Sequence, residues 1–163
     1  IKTKGIEVGH IFYFGDKYSK PMNCSVDSKD GKKIFVKMGS YGIGVSRLVA
    51  AIIEAKFSNE KMKWPREVSP FDVVIIPVIN KNDNSNVKKA NILYKSLIEK
   101  GIDVLFDDID ENISNKFKKH DLIGIPYQII VGSKTTKDKF EFKEVGKESQ
   151  VLEINKIINL LKK

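Results

Sequence analysis

Two stretches of this 163-residue chain concentrate groups able to do chemistry. The first is Gly39-Ser40-Tyr41-Gly42-Ile43-Gly44-Val45-Ser46-Arg47. Closely spaced glycines let the main chain approach a flat or anionic ligand, and the free N–H groups of a helix N-terminus suit phosphate. Arg47, on the first turn of the helix that follows, can stack on a base or pair with phosphate through its fork. No Gly-Lys-Ser/Thr follows, so this is no Walker loop, and the third spaced glycine of a dinucleotide fold is absent. By pattern alone, such residues more often make a tight turn before a core helix with an exposed arginine. The second stretch is Asp107-Asp108-Ile109-Asp110-Glu111-Asn112, which follows an apolar run. Its four carboxylates lack the regular spacing of a calcium loop. They lie where α/β sheets bind ligands, beyond the carboxyl end of a strand. One cysteine, Cys24, and two histidines, His10 and His120, leave little for a zinc or His-based metal centre, and no metal ligands are assigned. Cys24 reads as a small buried or turn residue, with no His–Asp partner nearby to make it a nucleophile.

The elements that must position these groups follow from periodicity. Residues 6–14 read as an aromatic, β-branched strand, and 33–38 as an alternating one. Residues 39–44 read as a glycine-rich turn. Val45, Leu48, Val49, Ile52 and Ile53 then give the apolar stripe of a core-facing helix, with Arg47 on the opposite side. Two prolines, Pro65 and Pro70, bracket a polar connector and place a boundary between residues 1–69 and 70–163. Beyond it, strands are expected at 71–78, 102–106, 127–131 and 139–143. Helices are expected at 85–100, at 112–122 and around Ile154, Ile157, Ile158 and Leu161. On the 112–122 helix, Phe117 pairs with Ile113 at helical spacing and reads as core. Such alternation predicts an α/β domain with a largely parallel sheet flanked by helices.

Composition narrows the class. Lys and Arg number 29 against 21 Asp and Glu, a net charge of +8, which favours a polyanionic partner. Residues 1–69 hold 13 basic and 7 acidic side chains, and 70–163 hold 16 and 14, so the excess is no basic tail. Lys116, Lys118, Lys119 and His120 form a basic helix face able to meet phosphates, or simply water. Only Arg47 and Arg66 are arginine. In a lysine-rich chain, each is a candidate for a site needing a planar, forked guanidinium. No apolar run is long enough to span a bilayer, and nothing after Ile1 resembles a leader peptide; the unpaired cysteine fits a reducing, cytoplasmic setting.

Several ordered blocks resemble the bacterial prolyl-tRNA synthetase family. They are Gly5-Ile6-Glu7-Val8-Gly9-His10-Ile11-Phe12, Lys17-Tyr18-Ser19, Met38 through Ala51, Trp64-Pro65, Ser69-Pro70-Phe71, Gly101 through Asp108, and Leu122-Ile123-Gly124-Ile125-Pro126. The resemblance implies the end of a class II antiparallel-sheet catalytic domain over 1–69, with Arg47 in its motif 3. It implies an anticodon-binding domain with a mixed, largely parallel sheet over 70–163. Motifs 1 and 2 would then lie upstream of Ile1, and this fragment would not aminoacylate alone. Its parent would use ATP with Mg2+ to activate proline and charge tRNA(Pro), as a homodimer without membrane association.

The resemblance also implies roles. Arg47 would bind ATP phosphate or stack on adenine, with Gly42 and Gly44 leaving room for the nucleotide. His10, Ser40 and Gly42 would line the proline pocket. Ser40 stands where many relatives have cysteine, as in the short alpha-proteobacterial branch that lacks an editing insertion. Asp107, Asp108, Asn112 and Lys116 would contact the anticodon, whose two guanines offer N–H donors that carboxylates accept. Ile109 and Asn112-Ile113-Ser114 depart from the Arg, Lys and Pro-Gly that many relatives carry in this loop. The rival class is a tRNA- or nucleotide-binding paralogue that keeps the fold without the reaction.

Overall fold

A computed structural model describes residues 4–80 and 82–162, so Ile1 lies outside the described residues. The chain divides into two compact units, residues 1–54 and 55–163, and the Trp64–Pro70 connector belongs to the second.

In the first unit, β1 (Gly9–Gly15) pairs antiparallel with β4 (Met38–Ile43). A short hairpin of β2 (Ser25–Asp27) and β3 (Lys33–Phe35) lies between them in sequence. Residues 39–43 are therefore strand and not the expected turn. Their main chain completes a ladder with His10 opposite Gly42 and Phe12 opposite Ser40. Cross-strand hydrogen bonds need no side chain, so glycines in this stretch do not stop pairing. Helix α1 (Val45–Lys56) follows as expected, but none of its residues is buried, and Val45, Val49 and Ile53 of the apolar stripe are exposed. Cys24 is exposed and unpaired, so its buried reading does not hold.

The second unit is a five-stranded sheet in the order β6-β5-β7-β8-β9. Its parallel members are β5 (Val73–Pro77), β6 (Val104–Phe106) and β7 (Tyr127–Val131). The strands β8 (Lys139–Glu144) and β9 (Gln150–Glu153) run antiparallel beside β7. The sheet is mixed, its parallel part confined to three strands. Side chains alternate across β5: Val73 and Ile75 join one core with Ala90, Leu93, Leu97, Ile157 and Leu161. Val74 and Ile76 join a second core with Ile125, against which Ile113 and Phe117 pack. Burial on both faces is why β5 reads as an unbroken apolar run. Helices α2 (Ser85–Ile98) and α4 (Ile154–Leu161) supply the first core, and α3 (Ile113–Ile123) the second. On α2, Leu93 faces inward and Ile98 is exposed.

Two junctions hold α3 and α4 in place. Gly124 ends α3 at φ 83°, and a Cβ there would lie 2.6 Å from the Met62 side chain and 2.9 Å from its carbonyl oxygen. Glycine is required by both conformation and space. Arg66 donates to the carbonyls of Leu160 (3.2 Å) and Leu161 (2.5 Å) at the end of α4, with its guanidinium 5.8 Å from the Tyr127 ring. Helix C-termini attract cations, and a planar fork can serve two carbonyls at once.

Candidate functional site

Consecutive strands β5, β6 and β7 connect through α2 on one face and α3 on the other. Adjacent strands β5 and β6 thus send their chains to opposite faces, which opens a crevice beyond their carboxyl ends. A cavity of about 230 Å³ lies there, lined by Pro77, Val78, Ile79, Glu111, Asn112 and Ile113. The acidic run follows β6 at this point, and α3 begins at its end.

Within the run, neighbouring side chains have opposite fates. Asp107 is buried, while Asp108, Ile109, Asp110, Glu111 and Asn112 are exposed. Asp107 extends the strand ladder through its amide to Ile75 O (3.0 Å), and its Oδ1 accepts the amide of Ile109 (3.2 Å). Asn112 caps α3, its Oδ1 accepting from the Ser114 amide at 2.9 Å. Asp107 receives three cationic or imidazole partners from α3. Lys116 Nζ stands 3.4 Å from Oδ1, Lys119 Nζ 3.0 Å from Oδ2, and His120 Nε2 2.6 Å from Oδ2. Burial pushes the Asp107 carboxyl up, but the bonds from His120 and Lys119 and the charge of Lys116 outweigh it and hold it at about 2. Burial lowers His120, and its bond to Asp107 only partly offsets that. Its Nδ1 is buried and has no partner among the described residues, which suits a neutral ring whose single N–H, at Nε2, donates to the carboxylate.

The four residues expected to meet a nucleic acid here are thus gathered on one loop and the first turns of one helix, with Asp108 and Asn112 outward and Asp107 and Lys116 inward. Lys116 and His120 do not form a solvated phosphate face: both are almost fully enclosed, and Lys118 is the member of that run that is exposed. Sequence reasoning placed His120 with the phosphate-facing residues. Its i, i+4 spacing from Lys116 was the available signal, but nothing local says which face of α3 turns inward.

In the first unit, the predicted ligand residues also come together. His10 lies opposite Gly42 on the β1–β4 ribbon, and Ser40 is opposite Phe12, all on one face by the register. His10 stacks on Phe12 with centroids 4.3 Å apart and has Glu7 3.7 Å away. A shallow cavity of about 470 Å³ is lined by Gly9, His10, Ile11, Tyr41, Gly42 and Ile43. A Cβ at Gly42 would meet nothing within 4 Å. Arg47 lies in the first turn of α1 at the same end, with Nη1 donating to Glu7 O at 2.9 Å. A Cβ at Gly44 would press on the Arg47 side chain at 3.3 Å, so Gly44 leaves that arginine its place. Among the described residues, no group of three or more His, Cys, Asp or Glu side chains could hold a metal ion. No helix among them is long and apolar enough to cross a membrane.

Residues 72–163 match the family model of the anticodon binding domain, which is more than half of the chain. The chain belongs to that family. The chain as a whole also has relatives. It is 60% identical over 161 residues to a proline–tRNA ligase of Pelagibacter ubique, covering 98% of this chain and 36% of that protein. It is 49% identical over 160 residues to a proline–tRNA ligase of a Wolbachia species from Brugia malayi, covering 96% and 37%. The chain therefore spans just over a third of the curated relatives it matches. Among solved structures, Giardia lamblia prolyl-tRNA synthetase in complex with prolyl-adenylate superposes with a TM-score of 0.75 at 23% identity. That match covers 94% of this chain and 32% of the other, and it supports the fold.

Proposed function

We propose that this chain is the C-terminal part of a prolyl-tRNA ligase and that its second domain recognises the anticodon of tRNA(Pro). The observation that carries this reading is the exposed pair Asp108 and Asn112, held on an anchored loop beside the crevice of an anticodon-binding domain. Carboxylate and amide oxygens at such a place accept the N–H donors of guanine edges. Asp107 and Lys116 belong to the same recognition element, beneath its surface. The net charge of +8 supplies sequence-independent attraction to the RNA backbone.

The first unit would serve the activation step in the intact enzyme, a cytoplasmic homodimer that uses ATP with Mg2+ and proline. Arg47 would hold the nucleotide, with Gly42 and Gly44 giving it room, and His10, Ser40 and Gly42 would line the proline pocket. Supporting this, His10, Ser40 and Gly42 share one face of the β1–β4 ribbon, and Arg47 reaches back from α1 to the Glu7 carbonyl just before β1. Catalysis there would come from electrostatic positioning of phosphates, rather than from a protein nucleophile.

The test is binding of this chain to a tRNA(Pro) transcript at near-physiological salt, against the same transcript with both anticodon guanines replaced. Preference for the native anticodon is expected. Equal binding to both would overturn recognition by the 107–112 loop.

A further inference from the structure

Lys116 and His120 stand one turn apart on α3, each only 1% exposed. A lysine and a histidine beside a polar loop ordinarily face water, and burying them costs solvation unless they are paired. Here both are spent on one residue, Asp107. Lys116 Nζ also donates to the Asp107 carbonyl at 3.1 Å, so this lysine grips main chain and side chain together. The Asp107 carboxylate, gripped in turn, holds the Ile109 amide. At the other end of the loop, the Asn112 cap fastens the chain to the start of α3. Residues 108–111 are exposed between these two anchors and carry three further carboxylates, Asp108, Asp110 and Glu111. Like charges so close repel and would splay an unanchored loop.

We infer that Lys116 and His120 are positioning residues for anticodon discrimination: through Asp107, they hold the 107–112 loop in the one shape that presents Asp108 and Asn112 to the bases. This rests on the recognition reading above. Asp107 is then the anchor of the loop and not itself a base acceptor. Reading a base edge by hydrogen bonds demands heavy-atom distances held within a few tenths of an ångström, which a loop tied at only one end cannot supply.

The experiment uses this chain with Lys116→Met and His120→Leu, and the two transcripts described above. Thermal melting establishes that each variant is folded. The unaltered chain prefers the native anticodon. Each variant should lose about tenfold of that preference, the worth of one charge-assisted hydrogen bond. Affinity for the guanine-substituted transcript should hardly change, because backbone attraction does not depend on loop shape. His120→Gln, whose amide can still donate to Asp107, should recover most of the loss. If a buried variant does not fold, Lys119→Met removes a half-buried partner of Asp107 Oδ2 and of Glu111 in the loop and should shift preference in the same direction. Folded variants that keep full preference would overturn the positioning role alone. An unaltered chain without preference would overturn the recognition reading, and the positioning role with it.

Discussion

His120 Nε2 lies 2.6 Å from Asp107 Oδ2, with both side chains about 2% exposed and thirteen residues apart in sequence. An ionised carboxylate can only accept, so the imidazole donates, and its other nitrogen is left as a buried lone pair. This bond joins the end of β6 to the helix that follows the 107–112 loop.

Acid should therefore loosen the second domain in two stages. His120 sits below its ordinary value of 6.5, so the unfolded chain binds more protons there. Its share of stability is present above about pH 6.5 and is lost as pH falls through the folded value. Asp107 is held at about 2 against 3.8, so its share, about 2 kcal/mol, is present above about pH 4 and disappears as pH falls towards 2. Thermal melts from pH 7.5 to 2.5 read both stages. A His120→Gln chain should lack the first and keep the second.

Gly124 and Gly101 separate strain from space. Both have positive φ, but a Cβ at Gly101 would meet nothing within 4 Å, whereas at Gly124 it would strike Met62. Gly101→Ala should cost about 1 kcal/mol from conformation alone. Gly124→Ala should cost about 3 kcal/mol, with displacement of Met62 added. Urea unfolding of the two variants should rank them in that order.

Arg66 makes a structural use of the planar guanidinium. Arg66→Lys cannot serve the carbonyls of Leu160 and Leu161 together over the Tyr127 ring. A loss of about 1 kcal/mol is expected, concentrated in α4. Amide exchange in α4, compared with that in α2, would show it.

Arg47 is the corresponding test in the first unit. In a full-length enzyme, Arg47→Ala should lower proline-dependent pyrophosphate exchange about 100-fold. Arg47→Lys should remain impaired, because a single ammonium does not reproduce the fork. Unchanged exchange in Arg47→Ala would remove Arg47 from the chemistry and favour a paralogue that binds without reacting.

Salt separates attraction from recognition. Binding to either transcript should weaken linearly on a log–log plot as salt rises. Lys118 is exposed on α3, so Lys118→Ala should reduce the magnitude of that slope by about 1 for both transcripts and leave the preference intact. A change in preference with an unchanged slope would make Lys118 a base contact.

Much of this protein was legible before its fold. The apolar run of β5, the helix expected at 85–100 and the Ile113–Phe117 pairing on α3 are local patterns, and strand, helix and pairing each form there, with α2 ending at Ile98. The pairing of β4 was not legible, since Gly39 and Gly42 read as turn formers until β1 supplies the partner ladder. Strand β9 was missed as well. Its one inward apolar residue, Leu152, gives too short an alternation to register.

The sequence by itself determined the periods of the longer helices and of the buried strands of the second unit, and the presence of an acidic run before a basic helix, because these depend on neighbours a few residues apart. Tertiary structure decided which of those charges meet water. Asp107 and Asp108 are adjacent and chemically identical, yet one is enclosed by Lys116 and His120 while the other is exposed. A strand end sends successive side chains to opposite sides, and only the packing of α3 over the sheet makes one of those sides the interior.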